Sequence, residues 1–348
     1  MPRILVTSAG GALAPLNIKL LQASRHDVSV VAVDARSDAL GQHFADVFAT
    51  VPPGNSPEYV DAVRDLVTRH HVDVVLPWSD EEALSLANRR GEIESLGVVL
   101  ACAEASTLQV MASKAATLSL LAKAGVRVPR WQIVSSAEEM DAALQAFRTT
   151  DGEAVVKPIS SRGSRDVYVI RKDIAGETDY FGSRETHVGW DAFDRDHRTV
   201  VATQLPAIVM ERLHAPAYDL DILARNGQLL RMATRERINP AGVPFRGSIF
   251  RSGRTFEVLG EKVTAALNLS WLYDYDLMTA SDGEPVVIEV NPRPSGSIAA
   301  SIRAGMPFYD DLFDLIAGRS LQSDWRKPAD GTLFVPYLDC GLSGRGDA

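Results

Sequence analysis

The sequence predicts a mixed α/β protein built from more than one module, and three observations support this fold class. Short β-branched runs at 4–7, 28–33 and 72–76 alternate with helical stretches, which is typical of βαβ units around a parallel sheet. Runs at 208–210 and 219–224 instead have the pattern of strands in a second sheet. The length of 348 residues exceeds one ordinary compact core, so two or three packed modules are expected.

The first module, up to about residue 105, has the outline of a dinucleotide-binding turn. A strand at 4–7 leads into a glycine-containing turn at 8–11 and a helix at about 16–23, and Asp34 ends the next strand. A third glycine is missing, because Pro15 stands near its place. The incomplete fingerprint supports NAD binding only weakly.

The middle of the chain predicts an antiparallel unit. A helix at 113–124 precedes a strand at 154–158, a polar turn at 160–165 and a strand at 167–170. The polar stretch at 173–198 has weak periodicity and is expected to be irregular or mobile, with a short helix as the alternative.

The last third combines helices with one apolar strand. Helices are predicted at 256–267, 297–304 and 309–317, and a turn at 281–283 leads into a strand at 286–290. Beyond residue 323 the chain is polar and glycine-rich, and its last eight residues are expected to be loose.

Composition excludes several classes of function. The net charge of −9 leaves no basic excess for a nucleic-acid groove, so no nucleic-acid partner is expected. Two distant cysteines, Cys102 and Cys340, disfavour a disulfide framework or a cysteine-based zinc site. No window is long and apolar enough to span a bilayer. We therefore expect a cytoplasmic protein without a membrane partner.

One segment near the end of the chain predicts a site for a metal and phosphates. Glu289 and Asn291 lie two apart on a strand, so both oxygen ligands face one side and suit magnesium. Asp276 reaches the same face if its stretch pairs with that strand as a hairpin. Arg293 follows and can grip a phosphate at two points. A surface turn is the alternative, but a carboxylate within an apolar run is costly to bury without a cation.

Two lysines and a turn extend this site. Lys114 and Lys157 are candidate phosphate contacts, although each alone is more often a solvated surface residue. Gly163 in the 160–165 turn lets backbone amides approach phosphate oxygens, an ordinary hairpin turn being the alternative. The loop residues expected at the phosphates are Ser161, Arg162, Gly163 and Ser164.

Further candidates lie on the second sheet. Met210 and Leu213 can supply apolar faces to adenine and Glu211 an acceptor, unless this is simply a buried strand reaching the surface. Arg235 and Arg237 share a face and can bind a carboxylate, although a surface basic patch is equally compatible with the pattern.

Together these motifs resemble the ATP-grasp superfamily, most closely its carbamoyl-phosphate-synthase-like branch, over roughly residues 1 to 320. The segments that carry the resemblance are 287–293 followed by Ser295 and Ser297, 155–158 followed by 162–165, Ser113-Lys114 before 124–129, and 210–213. The resemblance implies a Rossmann-like N-terminal pre-ATP-grasp domain (1–110) and a two-subdomain ATP-grasp fold (111–200 and 201–322). A partly flexible extension (323–348) would follow.

The resemblance also implies roles for individual residues. ATP would lie between the two subdomains, with its phosphates on Lys114 and Lys157 beneath the 160–165 loop and its adenine at Met210, Glu211 and Leu213. Magnesium, or alternatively manganese, would be held by Asp276, Glu289 and Asn291. Arg293 would stabilise the transferring phosphoryl group.

Two departures from the family pattern affect this picture. Ala217 stands where relatives often carry a ribose-binding glutamate, so Asp219 is the candidate substitute. Asp166 stands where a glycine is common, which predicts a stiffer loop over the phosphates.

The predicted activity is ATP-dependent ligation of a small carboxylate to an amine or related nucleophile through an acyl phosphate, with release of ADP and phosphate. Arg293, Lys157 and Asn291 are the candidate catalytic residues. The candidate substrate contacts are Arg235, Arg237, Arg293 and Ser297. A bicarbonate-using carboxylating or carbamoyl-phosphate-type enzyme and a non-catalytic ATP-binding scaffold are the alternatives. A homodimer is common among such proteins.

Overall fold

The computed structural model describes residues 1–159, 166–178, 185–239, 246–323 and 326–337. The strands are β1 (Arg3–Val6), β2 (Ser29–Asp34), β3 (Val47–Thr50), β4 (Val74–Leu76), β5 (Val99–Leu100), β6 (Trp131–Val134), β7 (Ala154–Pro158), β8 (Tyr168–Arg171), β9 (Glu177–Thr178), β10 (Thr186–Gly189), β11 (Ala207–Met210), β12 (His214–Arg225), β13 (Gln228–Arg237), β14 (Ser248–Arg251), β15 (Trp271–Thr279), β16 (Pro285–Asn291) and β17 (Leu333–Phe334).

The α-helices are α1 (Ala14–Gln22), α2 (Tyr59–His70), α3 (Asp80–Asn88), α4 (Arg90–Glu94), α5 (Ala105–Ala112), α6 (Lys114–Lys123), α7 (Ala137–Thr150), α8 (Trp190–Ala192), α9 (Arg198–Ala202), α10 (Arg254–Ala266), α11 (Ile298–Arg303) and α12 (Phe308–Ile316). A 3₁₀ turn (Leu40–His43) and a π-helical turn (Phe193–His197) complete the set. In the part of the chain that is described, no helix is long and apolar enough to cross a membrane.

The first sheet is parallel, in the order β3-β2-β1-β4-β5. Its strands are covered on both faces, so Leu5, Val31 and Val75 are buried, which explains the continuous apolar runs of the sequence. The strand order reverses between β1 and β4, which opens a crevice at their carboxyl ends. The predicted α/β module is therefore confirmed.

Asp34, the acid of the incomplete dinucleotide fingerprint, is bound within its own domain. Its Oδ2 accepts a hydrogen bond from Gly10 N at 2.7 Å, and its Oδ1 accepts one from Arg36 N at 2.9 Å. The side chain thus closes the turn after β1, a structural role that accounts for the glycine-turn-acid pattern without a dinucleotide.

The second sheet has the order β6-β11-β7-β8-β10-β9, and β7 pairs antiparallel with β8 as predicted. The 173–198 stretch is more regular than expected, because β10 pairs with β8 and helical turns follow it; residues 179–184 lie outside the described part. β11 belongs to this sheet, so the predicted subdomain boundary at residue 200 would separate it from its partners. We place that boundary after Met210.

The third sheet is antiparallel in the order β16-β15-β12-β13-β14-β17. β17 lies within the predicted 323–348 extension, so part of this segment is an edge strand paired with β14. The last eight residues, expected to be loose, lie outside the described residues.

The first domain packs closely on the third sheet. Asn17 of α1 donates to Gly296 O at 2.9 Å and accepts from the Tyr309 hydroxyl at 2.9 Å. One buried cluster contains both Leu86 of α3 and Val290 of β16. The carboxyl-end crevice of the first sheet is thereby held against the end of β16.

Candidate active site

The site begins as one polar face of the third sheet. Directly paired residues in an antiparallel sheet point to the same side, and Asp276 pairs with Glu289 while Asp274 pairs with Asn291. Asp219 of β12 pairs with Asp276 on the other flank. The predicted hairpin between β15 and β16 is therefore confirmed, and it brings the three predicted metal ligands to one face.

Strand alternation gives the opposite face to the core. Tyr273, Tyr275 and Leu277 of β15 are buried in the apolar cluster that continues into α10. The register shifts between Asp276 and Leu277, where β16 carries one extra residue. Val287 and Val290 consequently both reach the apolar side, while Glu289 keeps its place opposite Asp276.

Glu289 is held by one of the predicted phosphate lysines. Lys114 Nζ, on the first turn of α6, donates to Glu289 Oε1 at 2.8 Å. Burial works to raise the pKa of Glu289, but Lys114, helped by Lys157 and Arg293, outweighs it and keeps the pKa below its ordinary value. The carboxylate is therefore charged at neutral pH, as a metal ligand needs to be.

The acids around Asp276 form a compact oxygen cluster. Carboxylate oxygens of Asp219, Asp274 and Asp276 all lie within 4.8 Å of one another. Asp274 Oδ2 accepts from Asn291 Nδ2 at 3.0 Å, while its buried Oδ1 has no hydrogen bond. Burial, opposed by Arg237 and reinforced by Asp219 and Glu289, raises the pKa of Asp276 to about 6. Such a set of hard oxygen ligands suits a divalent cation.

Arg235 lies elsewhere than predicted. Its Nε and Nη2 donate to Asp221 at 2.9 and 3.1 Å, and the side chain is 0% exposed. Moving this guanidinium to a substrate would leave Asp221 buried without its partner. The geometry disfavours the predicted substrate role of Arg235 and indicates a structural ion pair instead.

Arg237 lies at the mouth of the same network. It donates to Asp219 and, at 2.6 Å, to Asp276 Oδ1. Asp219 is only 4% exposed, so its predicted contact with ribose is disfavoured as well. Ala217, where relatives often carry a ribose-binding acid, is also buried.

Lys157 ends β7 and faces Lys114 and Glu289 across the cleft. Burial, reinforced by repulsion from Lys114 and opposed by Glu289, lowers the pKa of Lys157 to about 8. Lys114 and Glu289 line one cavity together with Ile159, which follows β7. The two predicted phosphate lysines therefore converge on the predicted metal ligand.

Arg293 is fixed between prolines after β16 and faces two acids. Its Nε lies 3.3 Å from Asp80 Oδ1 of the first domain, and its Nη1 lies 3.9 Å from Asp274 Oδ2. Nη1 also donates to Pro294 O at 3.2 Å. Ser297, a predicted substrate contact, has its hydroxyl 2.8 Å from that of Ser295, at the start of α11.

The predicted adenine edge differs in one detail. Glu211 accepts from Arg130 N at 3.1 Å and from Arg130 Nε at 2.9 Å, so its carboxylate is bound to the residue before β6 rather than free for a base. Met210 belongs to a small apolar cluster with Ile208, and Leu213 to another. The apolar surfaces expected there are present, on either side of Glu211.

Two residues beside the site escaped sequence reasoning, and one group of predicted residues is not described. Asp274 was detectable, because it alternates with Asp276 on the same strand. Asp80 carried no such signal, because it is distant in sequence from β16. The predicted loop residues Ser161, Arg162, Gly163 and Ser164 lie outside the described part of the chain.

Residues 203–335 match a family model described as ATP-grasp in the biosynthetic pathway with Ter operon, and residues 4–101 match one described as PylC-like, N-terminal domain. The chain therefore contains an ATP-grasp domain that follows a PylC-like N-terminal domain. The predicted ATP-grasp resemblance and the fold of a Rossmann-like domain joined to an ATP-grasp module are thereby confirmed.

Individual ATP-grasp relatives are distant in sequence. A carbamoyl phosphate synthase large chain from Gemmatimonas aurantiaca is 25% identical over 349 residues, covering 92% of this chain and 29% of its own length. The chain thus spans under a third of that relative.

Two solved structures share the fold. N5-carboxyaminoimidazole synthetase from Staphylococcus aureus complexed with ADP has a TM-score of 0.68 at 15% identity, covering 94% of this chain and 80% of its own. The biotin carboxylase domain of Hydrogenobacter thermophilus 2-oxoglutarate carboxylase, a dimer with MgADP, ADP and bicarbonate, has a TM-score of 0.67 at 15% identity, covering 93% and 72%.

Proposed function

We propose that this protein ligates a small carboxylate to an amine or related nucleophile at the expense of ATP. The observation that carries the proposal is a cavity lined by Lys114 and Glu289 beside the acidic face of the third sheet. Arg293 reaches the edge of this cavity, since its Nε lies 3.3 Å from Asp80, which also lines it. Cations for phosphates, oxygen ligands for a metal and an arginine for a transferring group are the parts that phosphoryl transfer requires.

In the first step a substrate carboxylate oxygen attacks the γ-phosphorus of ATP, and the bond to the ADP oxygen breaks. The product is an acyl phosphate. In the second step the nucleophile attacks the acyl carbon, phosphate leaves with the bonding electrons, and the nucleophile loses a proton. Lys114 and Lys157 hold the phosphates, and Arg293 offsets charge on the transferring group, so catalysis is mainly positioning and charge neutralisation.

Magnesium fits the oxygen ligands of the site. Asp276, Glu289 and Asn291 would hold it, and the buried Asp274 Oδ1 beside them, which has no hydrogen bond, fits a cation at this face. When bound, magnesium supplies positive charge between the phosphate oxygens. The complex of the Hydrogenobacter thermophilus domain with MgADP supports this choice, and manganese stays an untested alternative.

Adenine would pack between the two apolar clusters that hold Met210 and Leu213. The Glu211 carboxylate is bound to Arg130, so we expect backbone groups near Leu213, rather than that carboxylate, to bind the edge of the base. Arg237 and Ser297, near the acidic face and α11, remain the proposed contacts for the carboxylate substrate.

Bicarbonate is a second candidate for the acid. The matches to a carbamoyl phosphate synthase and to a biotin carboxylase domain bound to bicarbonate favour it over an arbitrary carboxylate. The homodimer expected from the resemblance also stays a prediction, supported by the dimer of that biotin carboxylase domain.

A screen of ADP and phosphate release over pairs of carboxylates and amines, including bicarbonate, tests the proposal. We expect magnesium-dependent ADP release that needs an acid, with a subset of acids giving a condensed product by mass spectrometry. Tight ATP binding without turnover on any acid would favour a non-catalytic scaffold instead.

Replacing Lys157 is expected to weaken ATP binding by about ten- to a hundredfold, the effect of losing a charge-assisted hydrogen bond. Lys157→Met removes the charge and keeps an apolar stem on β7. Calorimetric titration with ATP and magnesium measures the loss. Lys172→Met, at an exposed position directly after β8, serves as the control. Unchanged ATP affinity in Lys157→Met would contradict a phosphate contact.

The pKa of about 8 at Lys157 predicts a pH dependence. The protonated amine binds phosphate, so ATP affinity should fall as pH rises from about 7 to about 9. The charge on ATP changes little in that range, because the second pKa of a phosphate monoester is about 6. Titrations across this range should show the fall in the unaltered protein and a flatter profile in Lys157→Met. Equal slopes would assign the dependence to another group.

A further inference from the structure

An acid of the first domain reaches the proposed phosphoryl-transfer site. Asp80 is the first residue of α3, and its Oδ1 lies 3.3 Å from Arg293 Nε. It lines the same cavity as Lys114 and Glu289. The other acid beside Arg293, Asp274, lies farther away, at 3.9 Å from Nη1, and already accepts a hydrogen bond from Asn291. Asp80 is thus the closer of the two acids that flank Arg293.

Asp80 is carried on a rigid support. The Ser79 hydroxyl caps α3, and the buried Glu82 accepts hydrogen bonds from the hydroxyls of Ser8 and Ser79, both at 2.7 Å, and from that of Thr7. These bonds tie the first turn of α3 to the loop after β1. The position of Asp80 is therefore set by the frame of the first sheet.

The same helix shares a buried core with the strand that precedes Arg293, and α5 packs against both. Ala83 and Leu86 of α3 lie in one buried cluster with Val290 of β16. Side chains in a densely packed core have little room to shift, so the elements that share the core keep a fixed separation. The separation between the α3 N-terminus and the end of β16 is therefore fixed by apolar packing, independently of the ion pair itself.

Arg293 needs such an anchor. Its long side chain loses substantial rotamer freedom when it is fixed, and the planar guanidinium binds phosphate well only when it is correctly aimed. With Asp80 beside Nε and Nη1 donating to Pro294 O, Nη2 is left for a phosphate. The Arg293 side chain is 26% exposed, so it is not sealed from solvent.

We propose that Asp80 is a positioning residue that aims Arg293 at the γ-phosphoryl group of ATP, so that the first domain takes part in phosphoryl transfer. This inference rests on the proposed function. Asp80 acts through Arg293 and does not itself touch the nucleotide. The N-terminal domain thus contributes to the ATP site.

The test compares the affinities of magnesium complexes of ADP and of the β,γ-imido analogue of ATP, since the second ligand alone carries a γ-phosphoryl group. The ratio of analogue affinity to ADP affinity is the preference for a γ-phosphoryl group. Calorimetry on the full chain gives this ratio for the unaltered protein, Arg293→Gln, Asp80→Asn and the double variant. We expect Arg293→Gln to reduce the preference for the analogue at least about tenfold. Asp80→Asn should remove part of the preference, leave ADP affinity unchanged, and add nothing in the double variant.

Two further variants separate positioning from a general structural effect. Asp80→Glu keeps the charge and should restore part of the preference that Asp80→Asn loses. Glu81→Gln, on the same helical turn, should match the unaltered protein.

Three results would overturn the proposal: an unchanged ratio in Asp80→Asn, even if turnover is lost; equal losses of ADP and analogue affinity; or additive effects in the double variant. A failure of the unaltered protein to bind either nucleotide would instead refute the proposed function.

Discussion

Glu289→Gln is expected to lower magnesium-dependent ADP formation by about three orders of magnitude, the upper range for removing one preorganised electrostatic group. The substitution keeps the shape of the side chain but removes the charge that faces Asp276 and binds Lys114 at 2.8 Å. The metal would lose an anionic ligand, and Lys114 would lose the partner that holds it near the phosphates. A coupled assay of ADP release over a magnesium titration measures both the maximal rate and the metal dependence.

Glu284→Gln is the matched control for this prediction. Glu284 precedes the same strand, is exposed, and lies in the turn between β15 and β16. Its replacement should leave the rate and the magnesium dependence unchanged. Near-normal turnover in Glu289→Gln, with magnesium saturation at the usual concentration, would refute the metal assignment.

Arg235→Met is expected to cause the largest loss of stability. It leaves Asp221 buried without its guanidinium partner and Asp219 with Arg237 alone, and breaking a buried ion pair from one side typically costs about 3–5 kcal/mol. The unfolding midpoint should fall by roughly 10 °C. Scanning fluorimetry and circular dichroism with added denaturant measure the change.

Two comparisons decide whether the buried pair is responsible. Arg36→Met removes an exposed partner of Asp38 and should leave the midpoint unchanged, because exposed pairs contribute little. Adding Asp221→Leu to Arg235→Met should recover part of the loss, because an apolar pair can replace a buried ion pair. If Arg235→Met unfolds at the same temperature as Arg36→Met, Arg235 is not structural, and its predicted role in substrate binding would return.

The hairpin of β15 and β16, which carries the predicted metal ligands, shows what local sequence pattern alone can predict. Glu289 and Asn291 were placed on one face because alternation along a strand depends only on spacing. Asp276 joins this face because β15 and β16 pair as a hairpin, which the sequence analysis takes as its condition. The phosphate roles of Lys114 and Lys157 rested on family resemblance, and the structure brings both near Glu289 without testing those roles.

The predictions that the structure disfavours concern charged residues whose ion-pair partners come from other elements of the fold. Arg235 and Arg237 share a face, as predicted, but alternation cannot tell which end of that face is covered. The packing of α11, whose Ser301 hydroxyl binds Asp221, buries Arg235, whereas Arg237 stays at the mouth. Glu211 likewise looked available, until the pairing of β6 with β11 brought Arg130 onto its carboxylate.

By itself the sequence determined the βαβ first domain, the antiparallel sheets and the ATP-grasp character of the segment ending at Arg293, because periodicity and closely spaced polar residues are local properties. Only the tertiary structure decided which charges face the cleft and which are buried pairs, because this depends on which elements cover each face. The meeting of Asp80 with Arg293, 213 positions apart, belongs to the second kind. It exists because α3 and β16 share one buried core, in which α5 packs against both, and no spacing in the chain encodes that arrangement.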